Sequence, residues 1–106
     1  MKDYLVFSMK SDLNQDSVFK LMQTALTDFS WKTGDSDAQG LYVSGARSDG
    51  VYLKVWISEN PFKLSMSFNE SFKISTDEAV SKKMLFDRVS NDVLPNLGVL
   101  LELKES

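Results

Sequence analysis

Ser17 and Lys20 in Ser17-Val18-Phe19-Lys20 stand one helical turn apart, a spacing at which an amine can take the proton of a serine nucleophile. Lys32-Thr33-Gly34 follows, and the two strings together are parts of an acyl-serine site. The third part, Ser-Asp-Asn, is missing between them. Ser17 also borders an apolar stripe while Lys20 lies on the opposite, wet side of the same segment, so the pair reads as ordinary helix surface. Asp35, Asp37 and Gly40 match positions one, three and six of a calcium loop. Position twelve is Ala46, where a bidentate glutamate belongs, and the flanks have strand rather than helix character. A solvated turn built from Asp, Ser and Gly is the better account. The remaining carboxylates, among them Glu59, Glu70, Asp77, Glu78 and Asp87, are scattered, and no pair is fixed at acid–base distance.

Two absences narrow the chemistry further. The chain has no histidine and no cysteine, so the commonest general base, the commonest transition-metal ligands and any disulfide are all missing. Gly34, Gly40, Gly45 and Gly50 fall at strand ends and turns, and none opens a phosphate-cradling loop. No cofactor, metal or catalytic residue is expected, and the chain is read as a non-enzyme. Twelve basic against fifteen acidic residues give a net charge of −3, which argues against a nucleic-acid binder. With 106 residues, 42% hydrophobic and 25% charged, the chain fits one domain over 1–106 with one core. The apolar run after Met1-Lys2-Asp3 ends at Ser8, too early for a secretion signal, and no stretch approaches the roughly 20 apolar residues of a membrane span. The expectation is a cytoplasmic protein without a membrane partner.

The elements follow from hydrophobic period. Tyr4 to Met9 alternates as a strand. Asp12 and Gln15 look like a capping pair for a helix over 13–28, whose inner face is Val18, Met22, Ala25, Leu26 and Phe29 with Phe19 and Leu21 at its edges. Trp31 opens a weak second strand before the polar loop at 34–40. Leu41 to Arg47 and Val51 to Ile57 flank Asp49-Gly50, the strongest short hairpin signal. A fifth strand, Lys63 to Asn69, alternates with Leu64, Met66 and Phe68 inward. Ser75-Thr76-Asp77-Glu78 is a capping box for a second helix over 76–94, with Ala79, Phe86, Val89, Val93 and Leu97 as its stripe and Val80, Met84 and Leu85 off it. Glu78/Lys82 and Arg88/Asp92 are spaced for surface pairing, Pro95 and Gly98 end the helix, and Val99 to Leu103 reads as a last strand. The fold class is therefore α+β, a two-layer sandwich in the order β-α-β-β-β-β-α-β, with a mainly antiparallel sheet and two helices on one face. This order is similar to a ferredoxin-like arrangement with one strand added.

A two-residue turn at Asp49-Gly50 would set Arg47 opposite Tyr52, Gly45 opposite Lys54 and Val43 opposite Trp56. Val51, Leu53, Val55 and Ile57 would then share the core face with Tyr42 and Ala46, and Arg47, Tyr52, Lys54 and Trp56 the outer one. Matching the fifth strand to this hairpin puts Ser65 opposite Trp56 and Ser67 opposite Lys54, small residues that leave the rings uncovered. Aromatic and arginine side chains dominate interface hot spots. Arg47, Tyr52, Lys54, Trp56, Ser65 and Ser67 thus form the candidate partner-binding face of a small binding or adaptor domain, of inhibitor or immunity type, engaging another protein or a second copy. The string Gly50-Val51-Tyr52-Leu53-Lys54-Val55-Trp56 also loosely resembles an RNA-binding strand, but its aromatics are four apart rather than two. Two other readings stay open: a small-molecule binder with an apolar pocket between helices and sheet, suggested by Trp31, Phe62, Phe72 and several methionines, and a carboxylate- or lysine-dependent enzyme.

Overall fold

A computed structural model of the chain describes residues 4–70, 72 and 77–105. The elements run β1 (Tyr4–Lys10), α1 (Gln15–Ala25), β2 (Ser30–Ser36), β3 (Gly40–Arg47), β4 (Val51–Trp56), β5 (Phe62–Phe68), α2 (Glu78–Arg88), a π-helical turn (Val89–Val93), α3 (Leu94–Leu97) and β6 (Val99–Glu105). The strands form a six-stranded antiparallel sheet in the order β2-β3-β4-β5-β1-β6. The α+β class and the element order agree with the sequence pattern, weak second strand included. A β-α-β-β-α-β unit has two strands between its helices. The meander β2–β5 has four, so two strands are added rather than one.

One core joins the layers. Leu5, Phe7 and Met9 of β1, Leu53 and Val55 of β4, and Leu64 and Met66 of β5 are buried against Val18, Met22 and Leu26 from α1 and Leu85, Val89, Val93 and Leu97 from the C-terminal helical segments. Asn14, not Asp12, caps α1 by accepting from the Ser17 N–H at 2.9 Å. Gln15 is thereby released for another task. Its Nε2 donates to the carbonyls of Gly34 (2.9 Å) and Tyr42 (3.1 Å), tying the helix start to β2 and β3.

The second helix departs from the expected stripe. Proline at 95 offers no N–H, and its ring would crowd the carbonyl four residues back in a regular α-helix. The chain widens into a π-turn, where the Leu94 N–H reaches the Val89 carbonyl instead. Lys82 and Leu85 point inward ahead of the turn and Val89 at its start, while Ala79 is exposed and Phe86 half-buried, its ring 5.7 Å from that of Phe7. Of the expected capping box, residues 75 and 76 lie outside the described residues, as does the Glu78 side chain. Asp77 is the N-cap but makes no side-chain cap bond. Lys82 is buried, with its Nζ 5.2 Å from the centroid of Phe68, and its expected pairing with Glu78 lies outside the described side chains.

The hairpin also differs from expectation. Arg47 pairs with Val51, so three residues, Ser48-Asp49-Gly50, make the turn. The Gly50 N–H donates to the Arg47 carbonyl at 3.1 Å, and Gly50 then takes φ +94°, a left-handed value that suits glycine. One extra turn residue slides β3 by one and reverses its faces. Val43 is fully buried, Tyr42 and Ala46 face outward, and Arg47 leaves the outer face. Between β4 and β5 the pairing is Trp56–Lys63, Lys54–Ser65 and Tyr52–Ser67, two residues from the expected match. A shift of two preserves the faces, so Ser65 and Ser67 remain outward.

The observed register makes a direct prediction. Val43→Ala should destabilise the protein by about 2 kcal/mol in urea unfolding, because it empties buried space. Ala46→Ser, on the open side, should stay within about 0.5 kcal/mol of wild type. The reverse ranking would restore the two-residue turn.

Candidate functional site

Both helices pack on the inner side of the sheet, and the outward side chains fall in rows across the strands. One row reads Ser30, Ala46, Tyr52, Ser67, Tyr4. The next reads Lys32, Ser44, Lys54, Ser65, Val6, Lys104, and the third reads Gly34, Tyr42, Trp56, Lys63, Ser8, Glu102. The register therefore brings together Tyr52, Lys54, Trp56, Ser65 and Ser67, five of the six residues expected to share this face.

A cluster of two rings and one cation sits at its centre. Tyr42 meets Trp56 edge-on, with centroids 5.3 Å apart. The Lys54 ammonium lies 4.1 Å from the Tyr42 centroid and 4.2 Å from that of Trp56, close enough for cation–π attraction to both. Glycine at 34 makes room for this, since a Cβ there would overlap the Tyr42 ring. Tyr52, at the other end of β4, is 47% exposed and meets no such cover. Beside it lies a surface basin of about 410 Å³, bordered by Ser30, Lys32, Ser44, Ala46, Tyr52 and Lys54. A second hollow of about 370 Å³ opens where Trp56 meets the β4–β5 turn, between Gln39, Glu59 and Lys63.

The charge on this face runs against that of the chain. Lys10, Lys32, Lys54, Lys63 and Lys104 occupy outward strand positions, and Glu102 is the one acid there among the described residues. The acids lie elsewhere: Asp12 and Asp16 at the start of α1, Asp28 after it, Asp49 in the hairpin, and Asp87 and Asp92 on the C-terminal helical segments. Lys63 is held in place by donating to Ser8 Oγ at 2.8 Å. Tyr42, Lys32, Lys63, Lys104 and Tyr4 were not anticipated here. Alternation gives Lys63, since it precedes the inward Leu64, but the outward side of Tyr42 follows only from the observed register of β3.

Arg47 is the correction. It lies on the inner side at the hairpin end, its guanidinium 5.3 Å from the Phe29 centroid. Asp49 receives both Nε (2.8 Å) and Nη2 (2.9 Å), and Asp28 receives Nη1 at 3.2 Å. Burial disfavours the Arg47 charge, but the hydrogen bonds to Asp49 and Asp28 outweigh it and raise its pKa. Asp28 also takes two bonds from Arg88, at 2.8 and 3.0 Å. Arg88 had been expected to pair with Asp92. Its hydrogen bond to Asp28 comes first among the causes that raise its pKa, with Asp92 contributing only through charge. The cluster joins the end of α1, β3 and α2.

Phe62 and Phe72, expected to line a small-molecule pocket, are buried members of the core, with Phe72 4.9 Å from Phe68. Trp31 is half-buried against the core and donates its indole N–H to the Leu26 carbonyl at 2.9 Å. Among the described residues no group of three potential ligands could hold a metal ion, and no helix is long and apolar enough to cross a membrane. No protein-family model matches the chain, and no curated protein matches it.

The Asp28 cluster predicts an acid-linked loss of stability. Hydrogen bonding from Arg88 is the largest influence on its carboxyl, and the net effect lowers its pKa from 3.8 to about 2. A depressed pKa stabilises the fold fully above pH 3.8, and that contribution is lost as pH falls through about 2. Asp28 is 38% exposed, so solvent screening limits its worth to about 1 kcal/mol. Asp28→Asn should cost that amount at pH 7, and denaturation curves of the two proteins should converge as the pH approaches 2.

Proposed function

We propose that the chain is a non-enzymatic binding domain that engages an acidic protein surface through the outer face of its sheet. What supports this is the segregation of charge: five lysines against one glutamate on an uncovered sheet face, in a protein whose net charge is −3. A face of opposite sign to the chain attracts a partner that the rest of the surface repels, which favours one docking orientation. The rings add contact area of the kind that anchors interfaces. Lys54 is already held between Tyr42 and Trp56, so little of its side-chain freedom would be lost on binding.

A polyanion such as single-stranded nucleic acid would also be drawn to these lysines. Base recognition on such a face works by stacking on open ring faces. Here Tyr42 and Trp56 are packed on each other and lie under the Lys54 ammonium, which leaves Tyr52 and Tyr4 as the well-exposed rings. An acidic protein segment needs only the cations, the hydroxyls and the ring edges. A mildly acidic inhibitor-type or adaptor protein with a basic recognition face fits this arrangement.

A titration followed by tryptophan fluorescence tests it, with Trp56 as the reporter beside Lys54. A Glu-rich peptide should bind with an affinity that falls as salt is raised. Lys32→Glu and Lys54→Glu should each weaken binding about tenfold, whereas Lys20→Glu on the exposed side of α1 should not. Tighter binding of a single-stranded oligonucleotide, or equal affinity in all three variants, would defeat the proposal.

A further inference from the structure

We infer that β6 is the seam of a homodimer, formed by antiparallel pairing with β6 of a second copy. The two edges of the sheet are unlike. β2 carries Lys32, Gly34 and Asp35 along its length, residues that discourage another strand from adding. β6 carries Val99, Leu100, Leu101 and Leu103, which are between 36 and 66% exposed. An edge strand with free backbone groups and apolar side chains is a template for strand addition.

The sequence of β6 argues for its own copy as the occupant. A bulge opposite Ser8/Met9 interrupts the β1–β6 ladder and leaves Leu101 unmatched, so regular pairing resumes only beyond it. Beyond the bulge, Glu102-Leu103-Lys104 is complementary to itself read backwards, with Leu101 left opposite Glu105 at the margin. A two-fold axis through Leu103, perpendicular to the sheet, sets each Glu102 opposite Lys104 of the second copy. These charges stand on the outer face, as their pairing with Ser8 and Val6 shows. Leu103 meets its own copy on the helix side, where it pairs with Phe7 within the chain. Shifting the axis by one residue, onto Glu102, would put two glutamates face to face, which is unfavourable. The chosen axis doubles the six-stranded sheet and carries both outer faces on one side. Its test is independent of what those faces bind.

Sedimentation velocity over a dilution series, with circular dichroism to verify folding, decides the matter. The wild-type protein should form a concentration-dependent dimer. Glu102→Lys should weaken the dimer about tenfold, since it sets like charges opposite each other at two symmetric places. Glu102→Lys combined with Lys104→Glu should restore wild-type association, because the pairs are merely exchanged. The chain has no cysteine, so Leu103→Cys supplies a clean second reading: mild oxidation should yield a covalent dimer, while Lys32→Cys on the far edge should not. A protein that stays monomeric throughout the series, or a dimer indifferent to Glu102→Lys, overturns the inference. So would a monomer that takes up a strand-forming peptide at β6 in place of its own copy.

Discussion

The three-residue bend Ser48-Asp49-Gly50 sets which way every side chain of β3 points. Gly50 adopts a positive φ, the Arg47 carbonyl accepts its N–H, and the strand that precedes it is thereby locked against β4 in a single register. From this follows Val43 in the core and Tyr42 on the open side. Tyr42 can lie flat because residue 34, opposite it on β2, has no side chain. Once there it braces Trp56, and the two rings hold the Lys54 ammonium. The candidate binding face is thus a consequence of one turn.

The same register sends Arg47 inward, where it meets a second organising centre. Asp28 takes hydrogen bonds from Arg47 on β3 and Arg88 on α2, and so links the end of α1 to both layers. Cations are needed at this corner, and they are supplied by arginines, whose planar forks suit shared and bidentate carboxylate contacts. Five lysines stand on the open sheet, while Lys20 and Lys83 lie on the helices. The outer face is cationic because acids are sparse there, Glu102 being the one among the described residues. Over a Debye length of about 8 Å such a distribution gives each side of a small domain its own field, despite the modest net charge.

Much of the architecture was legible in the sequence because it rests on period. The run Val51, Leu53, Val55 and the run Leu64, Met66, Phe68 name their own inner faces, and Val18, Met22 and Leu26 name that of α1. These positions are all buried. β3 was not legible in this way. Leu41, Val43, Gly45 on one side and Tyr42, Ser44, Ala46 on the other are nearly balanced in apolar character, so alternation could not choose between them. Asp-Gly serves both two- and three-residue turns, so the turn could not choose either. For the candidate face, β4 and β5 supplied Tyr52, Lys54, Trp56, Ser65 and Ser67. Tyr42 and the lysines of other strands came only with the pairing, and Arg47 was misplaced by the one-residue slip.

The sequence by itself determined the class of fold, the element order, the inner faces of β1, β4, β5 and α1, and the lack of histidine and cysteine chemistry. These are local properties: each depends on residue type and spacing within a single element. Only the tertiary structure decided the register of β3, the widened turn before Pro95, the recruitment of Asp28 by two arginines, and the gathering of lysines on one side. Each of these joins residues far apart in the chain. Alternation within a strand fixes two faces but says nothing of which strand lies beside it, or of which residues stand in one row.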